Sequence, residues 1–267
     1  MFNLNNKTVL ITGGCGLLGI QHAEAILEFG GEVILADIVS DEKRQRVVDG
    51  LVMKCDGAQI SSFYMDVTNK DSIQSVVDKI NKIDVLINNA ALDPKVESGL
   101  EWKNKFEVLE LESWNKTLDV TLTGTFLCSQ VVVNKMLSTG LESEYCRDGG
   151  VILNIASDLS IISPDQRIYG ESVKPASYGV AKAGVVNMTK YLSTYLAKKN
   201  IRVNSLSPAG VYNNQSDDFV DKLKNLIPMD RMAEPNELKG AIVFMCSDAS
   251  SFMTGHNLVI DGGRTIW

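Results

Sequence analysis

The sequence predicts an α/β fold: one doubly wound parallel sheet with helices on both faces, spanning 1–267 as a single domain. Three observations carry the prediction. Apolar runs of strand length alternate with helix-patterned segments through the whole sequence, with no repeat, low-complexity tract or linker between them. A glycine-rich turn, Thr12 to Gly19, joins the first such run to the first helical pattern. Gly14, Asp37, Asp66, Asn88, Ser157 and Pro208 each follow a predicted strand, so they collect at the one sheet edge where open α/β sheets bind ligands.

Each element has a local reason. Lys7 to Ile11 is a β-branched apolar run of the kind buried on both faces of a parallel sheet. A helical pattern follows from Ile20 to Phe29 and stops at Gly30-Gly31, and Glu32 to Ala36 forms a second strand closed by Asp37. Ser40 to Lys54 is a charged helix, Ser61 to Met65 a short third strand, and Asn69 to Ile80 another helix. Asp84 to Ile87 is the fourth strand. After it, the polar stretch Leu92 to Leu111 is longer than most connections in such folds. A helix spans Glu112 to Met136, and Val151 to Ile155 is the fifth strand. A second insertion, Asp158 to Ser177, precedes the helix bearing Tyr178 and Lys182. Ile201 to Leu206 is the sixth strand, Val211 to Ile227 loop and helix, Pro235 to Ser247 a helix, and Asn257 to Ile260 the last strand.

Composition narrows the function classes. Lys and Arg total 26 against 33 Asp and Glu, a net charge of −7, with no basic stripe, so nucleic acid is not expected as a partner. No apolar run spans a bilayer, and Met1 to Asn6 lacks the features of a signal peptide, which predicts no membrane association and a cytoplasmic protein. Five cysteines (Cys15, Cys55, Cys128, Cys146, Cys246) are scattered and odd in number, as reduced thiols are. With His22 and His256 the only histidines, neither a metal site nor a Ser-His-Asp triad is expected.

The turn Gly13, Gly14, Cys15, Gly16, Leu17, Leu18, Gly19 holds G-x-G-x-x-G between a strand and a helix, with an acid closing the next strand. Glycines permit the tight turn and a close backbone approach to a pyrophosphate, which the helix N-terminus then holds. Asp37 is placed to accept hydrogen bonds from an adenosine ribose. A 2′-phosphate there would meet like charge at about 4 kcal/mol per unit charge in contact. Cys15 and Ile38 fill the places where a phosphate-binding enzyme would carry Arg or Lys, so NAD is expected over NADP. Tyr178-x-x-x-Lys182 sets a phenol and an ammonium one helical turn apart, where the cation would favour phenolate. Ser157, closing the preceding strand, could reach the same substrate oxygen.

Together these residues resemble the short-chain dehydrogenase/reductase family over nearly the whole chain. The resemblance includes Thr12 to Gly19, Asp66-Val67, Asn88-Asn89-Ala90, Ser157, Tyr178-x-x-x-Lys182, Asn204-x-x-x-Pro208 and Asp261-Gly262-Gly263. It implies a Rossmann fold with Tyr178 as proton donor or acceptor, Ser157 holding the substrate oxygen, and Lys182 on the nicotinamide ribose, lowering the Tyr178 pKa. It also implies that Asp66 and Val67 flank adenine, that Asn88 and Ala90 line the cofactor, and that Pro208, Gly210 and Val211 face the nicotinamide. Three departures stand out. Leu17 occupies a position where the short members carry glycine, a spacing nearer to the longer sugar-nucleotide members. Thr121 stands where the family has a catalytic Asn. A long insertion separates Ser157 from Tyr178, leaving Ser160 and Ser163 as alternatives for the serine role.

The expected activity is NAD-dependent hydride transfer to or from a secondary alcohol or ketone of a small polar substrate. The insertion and Pro208 to Gln215 resemble dehydrogenases of surface-sugar and flagellin-modification pathways, which points to an amino sugar or sugar phosphate. A 3-oxoacyl-thioester or generic ketone reductase is the enzymatic alternative, and a catalytically silent NAD-binding sensor the alternative of another class. The loops 92–111, 158–177 and 211–227 are expected to read the substrate through Arg167, Lys174 and Tyr212. Lys95, Lys103 and Lys105 are further cations there, with Trp102, Phe106, Ile168 and Tyr169 as anchors. Glu97, Glu101, Glu107, Asp165 and Glu171 would offset the cations if these were only solvated surface charge. Apolar residues on more than one face of the helices at Thr121 to Val133 and Tyr178 to Leu196 predict a homodimer or homotetramer, as does the resemblance.

Overall fold

The computed structural model describes residues 1–94, 101–139 and 149–267. Lys95, Glu97 and Cys146, together with the side chains of Glu101 and Trp102, lie outside the described residues. Among the described residues, seven strands form one parallel sheet: β1 (Thr8–Thr12), β2 (Glu32–Asp37), β3 (Ile60–Tyr64), β4 (Val85–Asn88), β5 (Gly150–Ile155), β6 (Ile201–Pro208) and β7 (Asn257–Ile260). Their order is β3-β2-β1-β4-β5-β6-β7. The chain winds outward from β1 to β3, returns to β4 beside β1, and winds outward again to β7. The direction therefore reverses between β1 and β4, and this switch point opens the crevice that holds the site.

The helices are α1 (Leu17–Glu28), α2 (Asp41–Lys54), α3 (Lys70–Val77), α4 (Leu111–Leu118), α5 (Gly124–Ser138), α6 (Ala176–Leu196), α7 (Asp217–Lys224) and α8 (Lys239–Cys246). Alternation along the strands sorts them into two layers. Val9 and Ile11 face a core shared with Ala23 and Ile26 of α1, Leu51 of α2 and Ile242 of α8. Leu10 faces the opposite core, shared with Ile73 of α3, Val132 of α5 and Leu196 of α6. Burial on both sides explains the unbroken apolar runs of the central strands, whereas the outer strands β3 and β7 are only partly covered.

Helix starts follow the expected capping chemistry. Ser40 Oγ accepts from Lys43 N at the start of α2, and Asn69 Oδ1 accepts from Asp71 N and Ser72 N at the start of α3. The helix expected over Glu112 to Met136 is interrupted: a π turn, Asp119–Thr123, lies between α4 and α5. Such turns insert one residue into the hydrogen-bond ladder, which hydrophobic periodicity does not reveal.

Candidate active site

The glycine turn is built by the end of β4. Thr12 Oγ1 accepts from the amides of Asn89 (3.1 Å) and Ala90 (3.0 Å), while Asn89 Nδ2 donates to the carbonyls of Thr12 (3.1 Å) and Gly13 (2.9 Å). Gly13 is left-handed, φ +60°, and a Cβ there would stand 2.8 Å from Ala90 Cα. A Cβ on Gly19 would come within 2.4 Å of the Gly13 carbonyl oxygen, so α1 rests on the turn with no room for a methyl. Gly16 differs. A Cβ there would touch only the Gly13 carbonyl, at 3.3 Å, so the protein leaves the space above Gly16 open. Among the described residues, no side chain caps α1. An open glycine turn under an uncapped helix N-terminus fits a dinucleotide pyrophosphate. Leu17 and Leu18 border the neighbouring cleft rather than the sheet.

Asp37, closing β2, accepts from Cys15 N at 2.9 Å through Oδ2 and from Val39 N at 3.3 Å through Oδ1. The acid thus clamps the glycine turn and keeps lone pairs for ribose hydroxyls. Ile38 beside it is exposed. Burial, and then the charge of Asp37, push the Cys15 thiol up to about 11, so this cysteine stays protonated. Arg44, on the helix that follows, is occupied by the Val39 carbonyl and Asp41. Asp66 accepts from the amide and hydroxyl of Thr68, and Val67 is buried against Gly124 at the start of α5.

Beyond the ends of β4, β5 and β6 lies a cleft of about 300 Å³ that brings Ser157, Tyr178 and Lys182 together. Lys182 is buried, and its Nζ donates to the Ile155 carbonyl at 2.7 Å. Burial pushes its pKa down to about 8, with Lys174 adding to the effect and Asp93 opposing it. The Tyr178 ring lies between two ammonium groups, with Lys174 Nζ at 4.2 Å and Lys182 Nζ at 5.9 Å from its centroid. Even so, the phenol is held above its ordinary pKa, first by burial and then by the charge of Asp93, while its hydrogen bond with Ser157 pulls the other way. The resemblance leads to the expectation that Lys182 lowers the Tyr178 pKa; here enclosure of the phenol dominates, and Lys182 Nζ donates to a backbone carbonyl. Pro208, Gly210 and Val211 line the opposite wall of the same cleft.

Ser157 lines the cleft with Tyr178 and Lys182. Its Oγ donates to Asp158 Oδ1 at 2.8 Å and accepts from Leu159 N at 3.1 Å. Ser160 turns away to the Ser157 carbonyl, and Ser163 lines a separate groove with Phe106 and Val180. Thr121 sits in the π turn, buried, with Oγ1 accepting from Leu92 N at 3.1 Å and its carbonyl accepting from Thr125 Oγ1 at 2.7 Å. One lone pair of its hydroxyl thus anchors the backbone leaving β4. Asn88, expected along the cofactor, turns its side chain into the core and donates to Ser129 Oγ (3.0 Å) and Asn154 Oδ1 (2.8 Å). Asn89, one residue on, lines the cleft in its stead.

The insertion cations divide. Lys174 lines the cleft, its side chain 13% exposed and ion-paired with Asp93. Arg167, the first choice for reading an anion, is 86% exposed and holds Asp165 through Nε and Nη2. The two-residue spacing lets that pair close on itself, outside the cleft. Tyr212 is also outside it, its backbone fixed to Ala233, while Lys103 and Lys105 border other grooves. Sequence reasoning named Asn89 only within its motif and gave no role to it or to Asp93, Asp158 and Arg264, all of which line the cleft or brace the turn. The available signal was positional: each follows a strand end or, for Arg264, the Asp261-Gly262-Gly263 turn.

Comparison with known proteins agrees with this geometry. The sequence model described as enoyl-(acyl carrier protein) reductase matches residues 18–265. The chain is 33% identical to the NAD-dependent glycerol dehydrogenase of Listeria innocua, over 99% of this chain and 96% of that one. It is 31% identical to the D-threitol dehydrogenase of Mycolicibacterium smegmatis, over 99% and 95%. Among solved structures, gox2181 superposes with a TM-score of 0.87 at 28% identity, covering 100% of this chain and 98% of that one. A short-chain dehydrogenase of Leptospira borgpetersenii with bound NAD+ superposes at 0.82 with 32% identity, covering 99% and 94%. With matches along essentially its full length and the Tyr178, Lys182 and Ser157 cluster in one cleft, the chain belongs to the short-chain dehydrogenase/reductase family and is an oxidoreductase.

Proposed function

We propose that the protein is an NAD-dependent dehydrogenase acting on a secondary alcohol, or the corresponding ketone, of a small polyhydroxylated substrate. The observation that carries this reading is the convergence of Tyr178, Ser157 and Lys182 in one cleft beside an open, uncapped glycine turn. A nicotinamide cofactor supplies the hydride acceptor or donor. Within the chain, Tyr178 exchanges the proton of the substrate oxygen, Ser157 binds that oxygen, and Lys182 serves the cofactor ribose. Asp37, with Cys15 and Ile38 beside it and Arg44 already occupied, favours NAD over NADP.

Glycerol and threitol dehydrogenases among the relatives favour a polyol-like substrate. Lys174 in the cleft extends this to a sugar phosphate, and its partner Asp93 to an amino sugar, in keeping with surface-glycan synthesis such as flagellin modification. A 3-oxoacyl-thioester reductase is the second reading, favoured by the 30% identity to the 3-oxoacyl-[acyl-carrier-protein] reductase of Chlamydia pneumoniae. We place the enzyme in the cytoplasm as a homodimer or homotetramer. The test is a screen of polyols, amino sugars, sugar phosphates and acyl-thioesters for NADH formation or consumption. Turnover of thioesters alone would select the second reading. NAD binding without turnover of any of these would instead mark a nucleotide-sensing module.

A further inference from the structure

The segment after β7 folds back into the cleft. Asp261 makes the turn, accepting from Gly263 N at 2.9 Å through Oδ1 and from Thr265 N at 2.7 Å through Oδ2. Gly262 and Gly263 are both left-handed, φ +63° and +92°, and lie against Ile227 and Pro228. This turn delivers Arg264 into the protein, where its buried Nη1 donates to Asp158 Oδ2 at 2.7 Å. The other oxygen of Asp158 accepts both the Ser157 hydroxyl and Leu159 N at 2.8 Å. Guanidinium, carboxylate and serine hydroxyl form a line that ends at Tyr178.

We propose that Arg264 is a positioning residue of the active site: it neutralises and orients Asp158, and Asp158 sets the direction in which the Ser157 hydroxyl donates. The inference rests on the reading of Ser157 and Tyr178 as the pair that handles the substrate oxygen. A serine hydroxyl has one proton and two lone pairs. Here the proton goes to Asp158 and one lone pair receives the Leu159 amide, which leaves a single lone pair directed at the phenol side. Ser157 is thereby an acceptor on the phenol side, open to the Tyr178 hydroxyl or to the hydroxyl of an alcohol substrate.

An acid placed there carries a hazard, because a lone buried carboxylate would oppose ionisation of the neighbouring phenol. Arg264 limits it. The charged and titratable groups around this point are Tyr178 and Lys182 on α6, Lys174 just before α6, Asp93 after β4, Tyr169 from the insertion, and Arg264 from the last segment. Lys174 pairs with Asp93 and Arg264 with Asp158, while Lys182 is bonded to a backbone carbonyl. The pair gives the serine a fixed direction, and Arg264 limits the field of Asp158, which still acts to raise the phenol.

The test reads the charge at position 157 directly. In full-length Ser157→Cys protein, alkylation of the new thiol by iodoacetamide is followed against pH, with the peptide identified by mass spectrometry. Adding Arg264→Gln is expected to move the alkylation midpoint up by about one pH unit, as an unbalanced neighbouring carboxylate does. Asp158→Asn together with Arg264→Gln should bring it back. In the otherwise unaltered enzyme, Arg264→Gln should lower kcat at least tenfold with KM for NAD within twofold, and Arg264→Lys should recover part of the loss. If Arg264→Gln does not fold, Arg264→Lys against the double variant makes the same comparison. A midpoint unmoved by Arg264 variants that fold would overturn the proposal. The expected alkylation shift without oxidation of any alcohol would uphold the pair while removing the hydride-transfer reading.

Discussion

The Asp37 carboxylate and the Cys15 amide meet at 2.9 Å, so the acid that would select the cofactor also braces the turn that would hold its pyrophosphate. Asp37→Ala should therefore narrow the preference for NAD over NADP at least tenfold, through loss of like-charge repulsion, and should also raise KM for NAD because the turn loosens. The ratio of kcat/KM for the two cofactors measures the first effect. A wild type that already uses both equally would remove the basis of the prediction.

Tyr178→Phe should abolish turnover and leave NAD affinity within a factor of about two, roughly 0.4 kcal/mol. The ring keeps its place between Lys174 and Lys182, and only the proton carrier is lost. Lys182→Ala should weaken both, since its Nζ bridges the end of β5 to the cleft. Stopped-flow turnover beside fluorescence titration with NAD separates the two outcomes.

Lys174→Ala should raise KM for an anionic sugar substrate several-fold, whereas Arg167→Ala should leave it unchanged. One cation lies in the cleft and the other is an exposed partner of Asp165. Equal effects from the two variants would mean that substrate is not read by charge at Lys174.

His22 on α1 is fully buried, with neither ring nitrogen hydrogen-bonded among the described residues, and burial pushes its pKa down to about 3. The unfolded chain then binds a proton near pH 6.5 that the folded chain refuses until about pH 3, so stability falls as pH drops through this window. At pH 5.5 the cost is about 1.4 kcal/mol relative to neutral pH. Urea unfolding at pH 7.5 and 5.5 should show a smaller difference for His22→Gln than for the wild type by about that amount.

Phe126 on α5 and Val180, Tyr191 and Tyr195 on α6 are exposed, and the two tyrosine rings stack at 6.1 Å. Sedimentation velocity at micromolar concentration should find a dimer or tetramer, and Phe126→Glu with Val180→Glu should shift it toward monomer. A wild type that sediments only as monomer would count against an interface on these helices.

The fold was legible because the central strands are short apolar runs and several helices begin at a cap or end at a breaker. Ser40, Asn69 and Gly30-Gly31 fall at the boundaries that their chemistry predicts. The site was legible where chemistry depends on local spacing, as in Tyr178-x-x-x-Lys182 and the glycine turn. It was not legible where function depends on which of two adjacent side chains faces outward, as with Asn88 and Asn89, because strand ends twist. Nor could spacing reveal Arg264 beside Asp158, which are brought together from 106 positions apart by two left-handed glycines. Arg167 misled because its partner, Asp165, lies so close in sequence that the pair satisfies itself at the surface.

The parallel sheet bears on how the molecule assembles. Every neighbouring pair is parallel, so no pair can close as a hairpin. Thr8 pairs with Glu32 and Val9 with Val85, and the crevice between β1 and β4 exists only once that longer loop has closed. Such non-local pairing slows folding toward milliseconds to seconds and leaves bare apolar strands waiting for partners. Refolding yield should fall with protein concentration, and cofactor binding should be regained only in the last kinetic phase.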